Sequence, residues 1–170
     1  NSGKVMIYLG PGVSGTPDVE ITGSAGERLG FSVARAGDID SDGIDDLIIG
    51  APGSDAAGID AGAAYVVFGR TNVASLPSTA GDADVIILGQ NAREQLGYSV
   101  CSAGDVDEDG VDDIYIGAPF FEEGSVYLLY GDTSMDATID KTFTGENIGD
   151  QFGFSVSSGL TLDRTSEPAL

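Results

Sequence analysis

The chain has 170 residues, of which 28 are acidic and 7 are basic, so its formal net charge is −21. That charge argues against nucleic acid or an anionic membrane as a partner, because both would repel it. Hydrophobic residues make up 41% of the sequence, which excludes a disordered acidic tail. No run of 18 apolar residues is present, so insertion into a membrane is not expected either.

The N-terminal part of the chain contains two strand-like segments, KVMIYLG and PDVEITG. They match the third and fourth strands of the repeats that follow, so residues 1–26 are predicted to be part of a blade. The chain begins at Asn1 without Met or a signal peptide and stops abruptly at Leu170. Both ends are therefore expected to be cut from something longer.

A repeated segment begins three times along the chain: ERLGFSVARAG from Glu27, EQLGYSVCSAG from Glu94 and DQFGFSVSSG from Asp150. Repeats of this size predict a propeller or another stacked array. Within the first two repeats, short runs rich in Val, Ile, Tyr and Phe alternate with turn residues. The predicted strands are residues 31–36, 47–51, 63–68 and 84–88, then 98–103, 114–118, 125–130 and 137–143.

Four antiparallel strands per repeat are the unit of a β-propeller blade. We therefore predict an all-β fold with two full blades, residues 27–92 and 93–149, and partial blades at residues 1–26 and 150–170. The last part, with its FGFSVSSG segment, would supply only a first strand. A propeller usually needs four or more blades to close its ring. The chain is thus expected to belong to a longer protein or to complete its surface with neighbouring chains.

Each full repeat carries an acidic run after its first strand, DIDSDGIDD at residues 38–46 and DVDEDGVDD at residues 105–113. Carboxylates fall at positions one, three, five and nine of each run, and Gly falls at position six. Alternate spacing lets a curling backbone aim successive side chains at one centre, while Gly allows the sharp bend. The predicted ligands are Asp38, Asp40, Asp42, the Ile44 carbonyl and Asp46, then Asp105, Asp107, Asp109, the Val111 carbonyl and Asp113.

A ligand set of oxygens alone, without His or thiolate, favours Ca²⁺ over zinc or copper. Without a cation, four carboxylates within roughly 5 Å would repel by several kcal/mol in total at an effective dielectric near 20. Position twelve is Ile49 or Ile116, not the Glu of an EF-hand. We therefore predict two Ca²⁺ sites. Asp45 and Asp112, at position eight, are expected to be exposed or to support the ligands.

The third copy of the loop has lost this pattern. Aligned on FGFSV, it reads TLDRTSEPA at residues 161–169 and keeps a carboxylate at a ligand position only at Asp163. Arg164 would partly supply the positive charge from within the chain. We expect no ion in this loop.

Taken together, these motifs resemble the FG-GAP repeats of integrin α-subunit propellers. The resemblance rests on LGFSV…DIDSDGIDDLIIGAP and LGYSV…DVDEDGVDDIYIGAP and covers essentially the whole chain. It implies a β-propeller whose blades hold Ca²⁺ in the loop between their first and second strands. Carried over by position, it implies the same ligands as the spacing does.

Two further repeated features have structural interpretations. In Gly-Ala-Pro at residues 50–52 and 117–119, Pro is expected to end the second strand and Gly to permit close backbone approach. Phe31, Tyr98 and Phe154 occupy matched positions and are expected to pack between blades rather than form a platform for a ligand. The only cysteine, Cys101, is expected to be a small buried hydrophobe.

Three functions are compatible with the sequence. The first is a calcium-stabilised, extracellular or cell-surface module for adhesion or protein binding, since extracellular Ca²⁺ would saturate loops of millimolar affinity. The second is a self-assembling filament or surface-layer subunit, because part-blades at both termini could pair between chains. The third, catalysis, is disfavoured because His, a nucleophile elbow and a phosphate loop are all lacking. A non-catalytic module of a secreted enzyme stays possible.

Overall fold

The computed structural model describes residues 1–10 and 15–158, and it confirms the predicted all-β class. Ten strands are present in this described part of the chain, and all of their ladders are antiparallel. The strands are β1 Lys4–Ile7, β2 Val19–Thr22, β3 Ser32–Gly37, β4 Asp46–Ala51, β5 Ala63–Val67, β6 Val85–Leu88, β7 Ser99–Gly104, β8 Asp113–Ala118, β9 Ser125–Leu129 and β10 Lys141–Thr144. Among these residues no helix is long and apolar enough to cross a membrane.

The strands form three sheets whose order follows the chain. β1 pairs with β2, while β3-β4-β5-β6 and β7-β8-β9-β10 are four-stranded meanders. The two meanders share one register: Ser32 faces Gly50 in the first, and Ser99 faces Gly117 in the second. Each has a bulge just before its acidic loop, at residues 35–37 and 102–104. The repeated sequence therefore folds into repeated blade-like sheets.

Two strand predictions differ from the structure. β10 begins at Lys141, not at residue 137, because Asp136 accepts a hydrogen bond from the Thr138 amide in a local turn. In the last copy, residues 152–158 form no strand, and their β-pairing is limited to an isolated parallel bridge from Phe152 to Gly124. A first strand needs a second strand beside it, and none is present among the described residues. Two 3₁₀ turns, Val73–Ser75 and Ala80–Asp82, were not predicted.

The core lies between stacked sheets. Successive residues of β4 point to opposite sides: Ile48 packs in a cluster shared with Ile114 and Ile116 of the second meander. Ile49 packs instead with Val5 and Ile21 of the β1-β2 sheet. A strand with both faces buried reads as a continuous apolar run rather than an alternating one. This explains the sequence LIIGA.

Serine hydroxyls and closely approaching glycines join one sheet to the next. The Ser32 hydroxyl donates to the Gly97 carbonyl at 2.8 Å, and the Ser99 hydroxyl donates to the Gly153 carbonyl at 2.8 Å. A Cβ atom at Gly50 would overlap the Gly97 carbonyl, and one at Gly117 would overlap the Gly153 carbonyl. The Gly of each Gly-Ala-Pro thus permits the close approach that the sequence predicts. β4 and β8 end one residue before the Pro.

The matched aromatic residues also lie at these joints. The Phe31 and Tyr98 ring centroids are 4.7 Å apart, and those of Tyr98 and Phe154 are 4.9 Å apart. The Arg28 guanidinium lies 4.5 Å from the centre of the Phe31 ring. The Phe31 and Tyr98 rings therefore each contact the corresponding ring of the next repeat, and the prediction of packing between repeats is confirmed.

Cys101 lies on β7 with 6% of its surface exposed, which confirms the predicted buried position. Burial raises the pKa of its thiol to about 11. Only about one thousandth of the thiol is then ionised at pH 8, and the thiolate is the reactive form.

We expect a thiol reagent to label the folded chain at pH 8 roughly a hundredfold more slowly than the same chain in guanidinium. Equal labelling rates in the two states would contradict this burial.

Candidate metal centre

The first acidic loop connects β3 to β4 and gathers three carboxylates. Oxygen atoms of Asp38, Asp40 and Asp42 all lie within 4.8 Å of one another. The spacing of the three residues predicts this convergence, because every second side chain points into the curl of the loop. Asp38 and Asp40 are partly buried, and Asp42 is exposed. The open side of the cluster therefore faces solvent.

Hydrogen bonds from the loop's own backbone hold this arrangement. The Asp38 carboxylate accepts from the amides of Asp42 and Gly43, both at 3.0 Å, and the Asp42 carboxylate accepts from Ile44 at 2.8 Å. The bend places Ser41 at φ 64° and Gly43 at φ 87°. These left-handed angles favour Gly, which accounts for Gly at position six.

The second loop, between β7 and β8, repeats the geometry. Oxygen atoms of Asp105, Asp107 and Asp109 also lie within 4.8 Å of one another. The Asp105 carboxylate accepts from Asp109 at 3.0 Å and from Gly110 at 2.9 Å, as its counterpart Asp38 does. All three carboxylate residues are exposed here. Two loops of different sequence thus adopt one conformation.

The carboxylates at position nine are placed differently. Asp46 is 3% exposed and accepts from the amides of Ile39 at 2.8 Å and Gly69 at 2.7 Å. Asp113 is fully buried and accepts from Val106 and Gly131 at 2.6 and 2.9 Å. Neither residue belongs to the three-carboxylate cluster of its loop. Each ties its loop to the residues just after the third strand of its sheet, through Gly69 or Gly131. The role of Asp46 and Asp113 as ligands stays a prediction.

The electrostatics of both loops disfavour negative charge. The pKa of Asp46 is raised to about 6, chiefly by burial and also by the charges of Asp40 and Asp38, although two amide hydrogen bonds oppose the shift. Burial likewise raises the pKa of Asp113 and, together with Asp42 and Asp38, that of Asp40. A cation would remove this repulsion, because an opposite charge favours the ionised form of a carboxyl group.

The two residues at position eight have different surroundings. Asp45 is exposed and pairs with Arg35, with 2.5 Å between Oδ1 and Nη2. Asp112 is half-buried, and its carboxylate accepts from the amide of Asp38 in the first loop at 3.1 Å. The sequence predicts position eight to be exposed or to support the ligands. Asp45 is exposed, and Asp112 supports a predicted ligand, Asp38, although that ligand belongs to the other loop.

Sequence reasoning missed the buried Glu at the start of each full repeat. Glu27 accepts from the Tyr65 hydroxyl and Glu94 from the Tyr127 hydroxyl. Glu94 also accepts from the Gln90 and Asn91 amides, at 2.8 and 2.6 Å. The signal was present, because Glu and Tyr recur at matched positions of the two repeats. These residues fix the turn that begins each blade rather than form part of an acidic loop.

The residues of each cluster fit a hard cation. The carboxylates that converge are oxygen donors only, and Ca²⁺ accepts six to eight oxygen ligands in flexible geometry. Zinc and copper would instead favour imidazole or thiolate, and the sequence has no His. The degenerate third loop, with Asp163 and Arg164, lies outside the described residues. The chemistry of the donors therefore agrees with the predicted Ca²⁺ preference.

Repeated four-stranded sheets, each with an acidic loop between its first and second strands, define a β-propeller-type repeat protein. The FG-GAP repeat family matches residues 29–67 and 96–129. Each matched segment lies in one meander and contains its acidic loop. The chain belongs to the FG-GAP repeat family.

Curated relatives of the chain are integrin alpha subunits. It is 33% identical to integrin alpha-5 of Xenopus laevis over 175 residues, which cover 93% of this chain and 16% of that protein. It is 32% identical to integrin alpha-3 of Mus musculus over 150 residues, with 85% and 14% covered. It is 34% identical to integrin alpha-7 of Homo sapiens over 156 residues, with 86% and 12% covered. The chain thus spans about one-sixth or less of the length of these relatives.

Proposed function

We propose that the chain is a calcium-binding, non-catalytic module that acts in extracellular or cell-surface adhesion or protein binding. Its two Ca²⁺ sites would be the loops at residues 38–46 and 105–113. The observation that carries this proposal is the convergence of three carboxylates within 4.8 Å in each of two loops. Exposed acidic groups are common without an ion, but two copies in one register of a repeat are not expected by chance.

In this proposal the ligands are those that the sequence predicts. The three clustered carboxylates of each loop would bind the ion directly, and the carbonyls of Ile44 and Val111 would each add a backbone oxygen. Asp46 and Asp113 would contribute through whichever oxygen lone pairs their amide hydrogen bonds leave available, since each carboxylate oxygen can accept more than one bond. Residues 1–26, 27–92, 93–149 and 150–170 would be successive parts of a propeller.

The extracellular setting follows from the affinity expected of such loops. Modules with dissociation constants of about 10⁻⁴ to 10⁻³ M bind Ca²⁺ outside cells and would be empty in the cytosol. The similarity to integrin alpha subunits supports a protein ligand or a neighbouring chain as the partner. Contacts with that partner would come from loops that differ between the two repeats, such as residues 54–62 and 70–83.

Substitution of Asp42 by Ala tests the assignment of the ligands. Asp42 lies in the first cluster, so its loss should reduce the number of calcium ions per chain from two to one. The variant should also lose more stability in millimolar Ca²⁺ than in chelator, by about 1 kcal/mol, because an ion that binds only the folded state stabilises it by mass action. Calorimetric titration with Ca²⁺ and urea unfolding measure the two effects.

Glu146→Ala is the matched control. Glu146 is an exposed carboxylate on the loop after β10, outside both acidic clusters. This variant should keep two ions per chain and should lose no stability that depends on Ca²⁺. Equal losses of stability for Asp42→Ala in Ca²⁺ and in chelator would count against the ligand assignment.

A further inference from the structure

The two acidic loops contact each other at one pair of residues. The amide of Asp38, the first residue of the first loop, donates to Oδ2 of Asp112 at 3.1 Å. The amide of Asp112 donates to the carbonyl of Asp38 at 3.4 Å. Both backbone polar groups of Asp38 are therefore bonded to one residue of the second loop. No spacing within a single repeat predicts this contact, because it joins two repeats.

The position of Asp112 is set by the second blade. Its neighbour Asp113 is fully buried, with both carboxylate oxygens bonded to backbone amides, one of them the amide of Gly131 at 2.9 Å. On the opposite side, a Cβ atom at Gly37 would overlap the Asp112 carboxylate. Gly37 has φ 93°, so Gly suits both the conformation and the space. Asp112 is thus held in place and fits closely against the start of the first loop.

Asp38 is also the residue on which the first loop turns. Its two carboxylate oxygens accept from the amides of Asp42 and Gly43, and one of its oxygens belongs to the three-carboxylate cluster. A change in the backbone at Asp38 would therefore move a predicted ligand and also the hydrogen bonds that shape the remainder of the loop. The bond from Asp112 acts on the backbone of this residue.

We propose that Asp112 is a positioning residue for the cation site of the first loop. It fixes the backbone of Asp38, so that the Asp38 carboxylate faces those of Asp40 and Asp42 before a cation arrives. Asp112 binds no cation itself. This inference rests on the proposed function, since it assumes that the first loop binds Ca²⁺. It also makes the first site depend on the presence of the second blade.

The test uses the full chain with Asp107→Ala and Asp109→Ala, which removes two of the three clustered carboxylates of the second loop and leaves the first loop as the Ca²⁺ site. Asp105, whose carboxylate bonds the amides that shape the second loop, is kept. In this parent, Asp112→Ala is expected to raise the Kd for Ca²⁺ about tenfold, as loss of one charge-assisted hydrogen bond would. Asp112→Asn keeps an acceptor and should stay within about threefold of the parent. Calorimetric titration at 0.15 M salt measures both values.

Asp45→Ala is the matched control, because it removes a carboxylate from the same position of the first loop itself. Asp45 is exposed and bonded to Arg35, so its loss should change the Kd by no more than about twofold. A second control carries Asp112→Ala in a chain with Asp40→Ala and Asp42→Ala, which removes two of the three clustered carboxylates of the first loop and leaves the second loop as the Ca²⁺ site. Calcium affinity there should be unchanged, because Asp112 positions the first loop.

Amide hydrogen exchange in chelator gives a readout that needs no calcium. The Asp38 amide should exchange about tenfold faster in Asp112→Ala than in the parent. An unchanged Kd, or an equal loss in Asp45→Ala, would overturn the positioning role while leaving the proposed function intact. A parent that binds no Ca²⁺ would overturn the proposed function itself. Unchanged exchange at Asp38 would overturn the contact on which the inference stands.

Discussion

Replacement of Gly50 by Ala is expected to lower the free energy of unfolding by about 3 kcal/mol, the upper range for overpacking a dense interior. A Cβ atom there would overlap both the Gly97 carbonyl of the next repeat and the Ser32 hydroxyl. Both partners belong to the joint between blades, where the Ser32 hydroxyl donates to the Gly97 carbonyl. The backbone cannot move away without opening that joint. Urea unfolding in millimolar Ca²⁺ measures the effect.

Gly81→Ala is the control for this substitution. Gly81 is exposed in a 3₁₀ turn, and the nearest atom to a new Cβ would be Thr79 Oγ1 at 3.9 Å. With no clash and no positive φ, Ala should be neutral there or slightly stabilising, since it restricts the unfolded chain. If Gly50→Ala also proved neutral, the close approach of the two repeats at Gly97 would be wrong.

Removal of Ca²⁺ is expected to destabilise the chain by about 3 kcal/mol in total. Each site contributes roughly 1–2 kcal/mol when the ion exceeds its Kd about tenfold or more. For a chain of this size, the melting temperature should fall by about 5–10 °C on chelation. The loss arises because the clustered carboxylates again repel one another and the buried Asp46 again lies near them with no cation to offset the charge. Thermal unfolding followed by circular dichroism, with and without chelator, measures the shift.

Magnesium provides the comparison. Mg²⁺ demands near-ideal octahedral geometry and gives up its water reluctantly, whereas Ca²⁺ tolerates irregular oxygen cages. Millimolar Mg²⁺ in place of Ca²⁺ should therefore restore only a small part of the melting temperature. If the melting curves coincide in Ca²⁺, Mg²⁺ and chelator, no ion contributes to stability.

Much of the fold could be predicted because the sequence repeats. Seven of the eight strands predicted within the two full repeats occur within one residue of their predicted bounds. The exception, β10, starts late because Asp136 forms a turn with Thr138, a local side-chain bond that no hydrophobic pattern reveals. The described part of the last copy, residues 150–158, has an apolar pattern but no strand, since a ladder needs a partner as well as a propensity.

The acidic clusters could be predicted in part. Alternate spacing is a local property, so the convergence of Asp38, Asp40 and Asp42 follows from the sequence of the loop. The burial of Asp46 depends on Gly69, which lies 23 residues along the chain, and the bond to Asp112 depends on the next repeat. Such contacts are set by how the sheets stack, and spacing within one loop carries no information about them.

Native mass spectrometry of this chain in millimolar Ca²⁺, and again after chelation, tests the central claim most directly. It counts ions and chains in the same measurement. We predict two calcium ions per chain, lost on chelation, and one ion per chain in Asp42→Ala. A chain that carries no calcium at millimolar concentration would contradict the assignment of both loops.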